Sequence, residues 1–94
     1  MARVVWKYAL TSGLTIAMPE GAEVLDVQLQ DQQPVLWALV NPANPPVERQ
    51  LTVVGTGQQV PSSGRYVGTW QAGGDVWHLW EVDAEDQGVG IAQP

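Results

Sequence analysis

The sequence predicts an all-β domain, a small antiparallel β-sandwich or open barrel of about six to seven strands. Short β-branched and aromatic runs recur along the chain, and each is closed by glycine, proline or a cluster of small polar residues. The stretch from Glu23 to Gln30 alternates strictly, with Leu25, Val27 and Leu29 on one face and Asp26, Gln28 and Gln30 on the other. No segment sustains the 3.6-residue apolar period of an amphipathic helix, and no internal repeat is visible.

The elements follow in order. Val4-Val5-Trp6-Lys7-Tyr8-Ala9-Leu10 is a first strand, broken by the turn formers Thr11-Ser12-Gly13. Leu14 to Met18 is a short second strand at a sheet edge, turned by Pro19-Glu20-Gly21, and the two strands are expected to form an opening hairpin. Glu23 to Gln30 is the third, followed by a loop from Asp31 to Pro34. Val35-Leu36-Trp37-Ala38-Leu39-Val40 is apolar on both faces, which marks a central strand and the best candidate for a subunit interface. Asn41 to Pro46 holds three prolines in six residues and reads as a stiff rim loop. Leu51 to Val54 resumes a strand that ends at Gly55-Thr56-Gly57. After the turn Pro61-Ser62-Ser63-Gly64 come Tyr66 to Trp70, a turn from Gln71 to Asp75, and a last strand from Val76 to Val82. That strand is expected to pair with its sequence neighbours as a meander or Greek key. Residues 1–82 thus read as one β domain, and residues 83–94, acidic and then small and polar, as a flexible tail.

Composition narrows the chemistry. A chain of 94 residues makes one domain with a thin core, so a deep private pocket is not expected and a homo-oligomer, dimer or tetramer, would give a better-shielded cleft. Four basic residues face ten acidic ones, for a net charge of −6. Glu81, Asp83, Glu85 and Asp86 crowd one stretch, and without them six acidic residues still outnumber the four basic. So few cations cannot neutralise a run of phosphates, which excludes long nucleic acid as a partner. The absence of cysteine removes disulfides and thiolate metal sites, and no run approaches the roughly 20 apolar residues of a membrane span. A cytoplasmic protein without membrane anchor, metal or cofactor is expected.

Five tryptophans and two tyrosines, against one histidine, give the chain rings for stacking and few groups for catalysis. Gly55-Thr56-Gly57 at a strand end lets backbone N–H groups converge on a small anion, although hairpins also need glycine and no P-loop lysine accompanies it. Trp37, Trp70, Trp77, Trp80 and Tyr66 are candidate stacking platforms, with two or three of the tryptophans expected in the core. Tyr66 and Trp70, beside glycines and a loop, are the preferred surface rings. Arg49 and Arg65, placed just outside strands, and Lys7 on the first strand are the candidate phosphate ligands. His78 has no second metal ligand, and strand parity puts Glu81 on the opposite face, so an orienting hydrogen-bond role is expected rather than catalysis. The expected ligand-binding set is Lys7, Trp37, Arg49, Gly55, Thr56, Gly57, Arg65, Tyr66 and Trp70.

Taken together, Trp6-Lys7-Tyr8, Met18-Pro19-Glu20-Gly21-Ala22, Leu36-Trp37-Ala38-Leu39-Val40-Asn41-Pro42, Gly55-Thr56-Gly57, Tyr66-Val67-Gly68-Thr69 and Val76-Trp77-His78 resemble a widespread family of small phage-encoded proteins of unknown function. The resemblance spans residues 5–82. Relatives there often read Gly-Thr-Gly-His where this chain has Gln58. The chain is also similar to the phage sponges of the anti-CBASS type, which are small β-rich oligomers without enzymatic activity. That resemblance implies sequestration, without hydrolysis, of a cyclic-nucleotide immune signal such as cyclic GMP-AMP in the cytoplasm of an infected bacterial host. The competing readings are a phage accessory or virion-associated protein-interaction module and, less in keeping with the residues, a hydrolase that degrades the signal.

Overall fold

The computed structural model describes residues 2–10 and 14–83. Seven strands are present: β1 (Val4–Ala9), β2 (Thr15–Pro19), β3 (Glu23–Gln30), β4 (Gln33–Val40), β5 (Pro46–Gly55), β6 (Gly64–Ala72) and β7 (Asp75–Val82). They form two facing antiparallel sheets, ordered β1-β4-β3 and β2-β5-β7-β6. Among the described residues no helix is long and apolar enough to cross a membrane. The turn Thr11-Ser12-Gly13 and the tail beyond Asp83 lie outside the described residues.

The expected opening hairpin is corrected. β1 pairs with β4, Val4 opposite Val40 through Ala9 opposite Val35, while β2 pairs with β5 in the other sheet. Each strand has one apolar face, carrying Tyr8 in β1 and Ile16 and Met18 in β2. Facing each other across the core buries both, whereas a lone two-stranded hairpin has nothing to bury them against. β7 does pair with its sequence neighbour β6, and its other partner is β5.

Strand limits also shift. Asp31 and Gln32 alone turn the chain between β3 and β4, both at positive φ (52° and 67°), so Gln33 and Pro34 belong to β4 instead of a loop. β5 starts at Pro46 and β6 at Gly64, which places Arg49 and Arg65 inside strands rather than beside them. The rim loop is ordered by Asn41, which accepts hydrogen bonds from the N–H groups of Ala43 (at Oδ1) and Asn44 (at the carbonyl), both 3.0 Å. Asn44 Nδ2 in turn donates to the Glu20 carbonyl at 2.8 Å, which ties the loop to the turn after β2.

β3 departs from strict alternation. A β-bulge between Val24 and Asp26 gives two residues where β4 gives one, so parity flips there. Val24 and Val27 reach the core, and Leu25 is turned out at 44% exposure. The core between the sheets is built on Met18, Val27, Leu36, Ala38 and Val40, with Leu51 and Leu79 beside them, all essentially solvent-free. β4 is the middle strand of its sheet, with Leu36, Ala38 and Val40 sealed inside and Trp37 and Leu39 half-buried. Trp70, expected at the surface, is buried in this core at 9% exposure. A second bulge, between Tyr66 and Gly68, sets the phase of β6 and turns Trp70 inward opposite Trp77.

The two sheets meet along β3 and β6. Gly68 is buried there, and a Cβ on it would lie 2.7 Å from Val27 Cγ1 and 3.2 Å from Asp26 Oδ1. Only a residue without a side chain permits that approach. Gly68→Ala should therefore lower stability by about 1–3 kcal/mol through overpacking against a branched neighbour. Urea denaturation measures it, and an unchanged midpoint would mean the seam has slack.

Tyr8 carries the one buried side-chain polar atom without a hydrogen-bond partner among the described residues, its hydroxyl oxygen. Burial raises its pKa above the ordinary 10.0, opposed in part by the positive charge of Arg49. A hydroxyl that loses its water and gains no partner gives nothing back for desolvation, so Tyr8→Phe should be at least as stable as the parent at pH 7. Because the folded-state pKa lies above the unfolded one, the native state holds its proton longer. This contribution is complete below pH 10 and is lost as pH rises through the folded value. Thermal unfolding across pH 8–11 should accordingly show a gentler alkaline decline for Tyr8→Phe than for the parent.

Candidate functional site

β7 alternates across its sheet. Leu79 is fully buried and Trp77 packs on the core, with Glu81 on that same face by parity, while His78 and Trp80 project from the outer face. On β6, Tyr66 pairs with Trp80 and Thr69 pairs with His78. Residues 66 and 69 are an odd number of positions apart, so a regular strand would send them to opposite faces. The bulge at Val67 absorbs one position and brings both out together.

The result is a continuous row of hydrogen-bonding groups. Thr56 Oγ1 lies 2.9 Å from His78 Nε2, His78 Nδ1 lies 2.9 Å from Thr69 Oγ1, and Thr69 Oγ1 lies 2.5 Å from the Tyr66 hydroxyl. Hydroxyls both donate and accept, so either imidazole tautomer satisfies the row. Next to it, the Tyr66 and Trp80 rings meet edge to face, with centroids 5.6 Å apart and planes at 63°. Tyr66 is 51% exposed. Thr56, His78, Tyr66 and Trp80, with Val54, Val60 and Gly57, line a concavity of about 250 Å³ that, among the described residues, has no Lys, Arg, Asp or Glu in its walls.

The Gly55-Thr56-Gly57 turn closes one side, but it is already engaged with itself. Gly55 N–H donates to Gln58 Oε1 at 2.6 Å, and Gln58 N–H donates to the Gly55 carbonyl at 3.0 Å. The Gly55 donor that a phosphate would need is thus held by Gln58. Thr56 contributes its hydroxyl, and Gly57, at φ 92°, supplies the left-handed corner of the turn.

Arg49 and Arg65 lie elsewhere. Six residues of extended strand, about 20 Å, separate Arg49 from Gly55. Arg49 forks both oxygens of Glu81, with Nη2 to Oε1 at 3.0 Å and Nε to Oε2, and donates through Nη1 to the Ala22 carbonyl at 2.9 Å. Arg65 approaches the same carboxylate at 3.7 Å. A concavity of about 430 Å³ surrounds this group, yet Glu23, Glu48, Glu81 and Asp83 line it against the two arginines. Carboxylates therefore outnumber guanidiniums there, and the local field opposes an anion. Lys7 and Trp37 are cross-strand partners on the outer face of the other sheet, with Lys7 Nζ donating to Gln30 Oε1 at 2.6 Å. Trp70 is in the core. Of the expected ligand-binding set, the structure brings together Gly55, Thr56, Gly57 and Tyr66. Beside them stand Trp80, a candidate stacking platform in the sequence, His78, expected there to orient by hydrogen bonding, and Thr69. In the sequence Thr69 figures only within the Tyr66-Val67-Gly68-Thr69 motif, with no role of its own, because its place on this face depends on the bulge.

The Thr56–His78 contact pairs a hydroxyl with an imidazole, the first two members of a nucleophile–base–acid arrangement. Its third member is the neutral hydroxyl of Thr69, and Glu81 is on the opposite face. An imidazolium formed there would have no carboxylate to stabilise it. Among the described residues no cluster of three His, Cys, Asp or Glu side chains is arranged to hold a metal ion.

These features define a small all-β domain of two antiparallel sheets with a shallow, uncharged, aromatic-walled concavity on one outer face. The chain belongs to the family described as a domain of unknown function (DUF7352), whose model matches residues 1–89. No curated protein and no solved structure matches it.

Because the Arg49–Glu81 pair is mostly shielded from water, at 19% and 13% side-chain exposure, its loss should weigh on stability rather than on the concavity. Glu81→Gln should destabilise the domain by about 1–3 kcal/mol, the range for leaving a charge-assisted hydrogen bond half-made. Chemical denaturation reads the effect, and a change under 0.5 kcal/mol would show the pair to be ornamental.

Proposed function

We propose that this domain is a non-catalytic binding protein that holds a nucleobase-bearing small ligand on the Tyr66–Trp80 face and releases it unaltered. The observation that supports this reading most directly is the exposed Tyr66 ring set edge to face on Trp80, beside the row of Thr56, His78 and Thr69. A base stacked on such rings gains about 1–3 kcal/mol, and the hydroxyls and imidazole match its edge donors and acceptors. In the role that the sequence resemblance implies, the protein is a sponge that lowers the free concentration of a cyclic-nucleotide signal in the cytoplasm of an infected bacterium. A second copy of the chain would cover the open side of so shallow a concavity, so a homo-oligomer belongs to the same reading. The uncharged walls point to recognition through base and sugar rather than through phosphate, with long nucleic acid excluded as a partner.

A specific observation favours a second reading, the protein-interaction module. β1 is an edge strand with Val4 40%, Val5 54% and Trp6 41% exposed, a segment suited to receive an added strand from another protein.

Thermal shift separates the two. A ligand at a hundred times its Kd adds about 2.7 kcal/mol, on the order of 10 °C for a domain of this size. Cyclic mononucleotides, cyclic dinucleotides and nucleosides should include at least one that raises the melting temperature so, with the gain lost in Tyr66→Ala and the ligand recovered at unchanged mass after heating. A flat response to every nucleotide, with a stoichiometric protein captured through β1, would replace the first reading by the second. Ligand recovered at altered mass would instead make the protein an enzyme.

A further inference from the structure

We infer that the ligand is bipartite and straddles the Gly55–Gln58 turn, one planar group on each side, an inference that rests on the nucleotide-binding reading above and names the shape of its ligand. The Tyr66–Trp80 concavity has a neighbour. A second one, of about 440 Å³, shares Gly55, Thr56 and Gln58 with the first, and its remaining wall is Gly74, Asp75, Val76 and Trp77. The turn is thus a partition between two cups. Trp77 and Trp80 sit an odd number of positions apart on β7 and face opposite sides of the sheet, so each cup receives one indole.

The partition is both thin and fixed. Gly55 has no side chain, and a Cβ there would sit 3.4 Å from both Gln58 Oε1 and the Trp77 ring. Gln58 locks the turn by accepting the Gly55 N–H and donating to its carbonyl, so the wall does not collapse into either cup. A molecule with two flat groups on a short linker places one group against Trp77 and the other against Tyr66 and Trp80, with the linker crossing over Thr56.

Charge decides how such a ligand is held. Among the described residues Asp75 is the one Lys, Arg, Asp or Glu lining either cup, and a carboxylate there accepts from an exocyclic amine or a sugar hydroxyl while repelling phosphate. Arg49 and Arg65 approach Glu81 on the opposite face of the sheet from Tyr66 and Trp80, and neither lines a cup. The linker of a dinucleotide therefore runs on the solvent side, and its phosphates contribute little. Joining two groups also makes the second contact intramolecular, so a two-base ligand binds more tightly than a one-base ligand without any new contact.

The test is isothermal titration of cyclic di-AMP and cyclic di-GMP against cyclic AMP and cyclic GMP, on the parent, Tyr66→Ala and Asp75→Ala. Both substituted side chains are exposed, and unchanged melting temperatures establish that the variants fold. Expected are one cyclic dinucleotide per protomer, bound at least about tenfold more tightly than the matching mononucleotide. Each variant should lose about tenfold, and a change from 50 to 200 mM salt should alter the affinity by less than about threefold, since few counterions are released. Equal affinity for one-base and two-base ligands, with Asp75→Ala indistinguishable from the parent, would overturn the two-cup inference and leave the single-cup binding reading standing. Failure of all four nucleotides to bind would sink both together.

Discussion

The contact on which the rest of the molecule depends is the approach of Gly68 to Val27, where β6 of one sheet closes on β3 of the other. A domain this small has little core, and its fully buried side chains are a handful of aliphatics. Bringing the two backbones together at one seam packs Gly68 directly on Val27, with no side chain of β6 between them. Each of the two strands carries a bulge beside the seam, at Leu25 and at Val67. Bulges sharpen local twist, and these two lie on the strands that meet at the seam. Asp26 holds its side of the seam, accepting the Val27 N–H at 2.8 Å and Gln28 Nε2 at 2.9 Å.

The same bulge that shapes the seam builds the outer face. One extra residue at Val67 reverses the parity of β6, so that Tyr66 stands with Thr69 outside while Gly68 and Trp70 turn in. Packing and site are therefore coupled through a single irregularity. Remove it, and either Trp70 leaves the core or the hydroxyl of Tyr66 loses Thr69. Such coupling suits a short chain, in which one strand forms both a wall of the core and the outer aromatic face.

Electrostatics divides the molecule along its strands. Three of the four cations have partners: Arg49 and Arg65 approach Glu81, and Lys7 donates to Gln30. Aromatic and hydroxyl groups gather on the face of the β2-β5-β7-β6 sheet opposite Glu81, beside a turn stiffened by Gln58. A strongly acidic chain thereby presents, among its described residues, one concavity without Lys, Arg, Asp or Glu in its walls.

The sequence by itself determined the β architecture, most of the strand positions and the candidacy of Gly55, Thr56, Gly57 and Tyr66, because period-two patterning and turn chemistry are local properties of the chain. It also placed His78 and Glu81 on opposite faces, since parity holds along β7 where no bulge intervenes. Only the tertiary structure decided which strands became partners, that Trp70 is core, that Glu81 takes both arginines, and that Thr69 joins His78. Strand pairing and ion pairing join residues far apart in sequence, and a bulge shifts the face of every residue beyond it by half a period. Neither leaves a mark in composition or spacing, because each arises from competition among contacts that exist only once the two sheets have met.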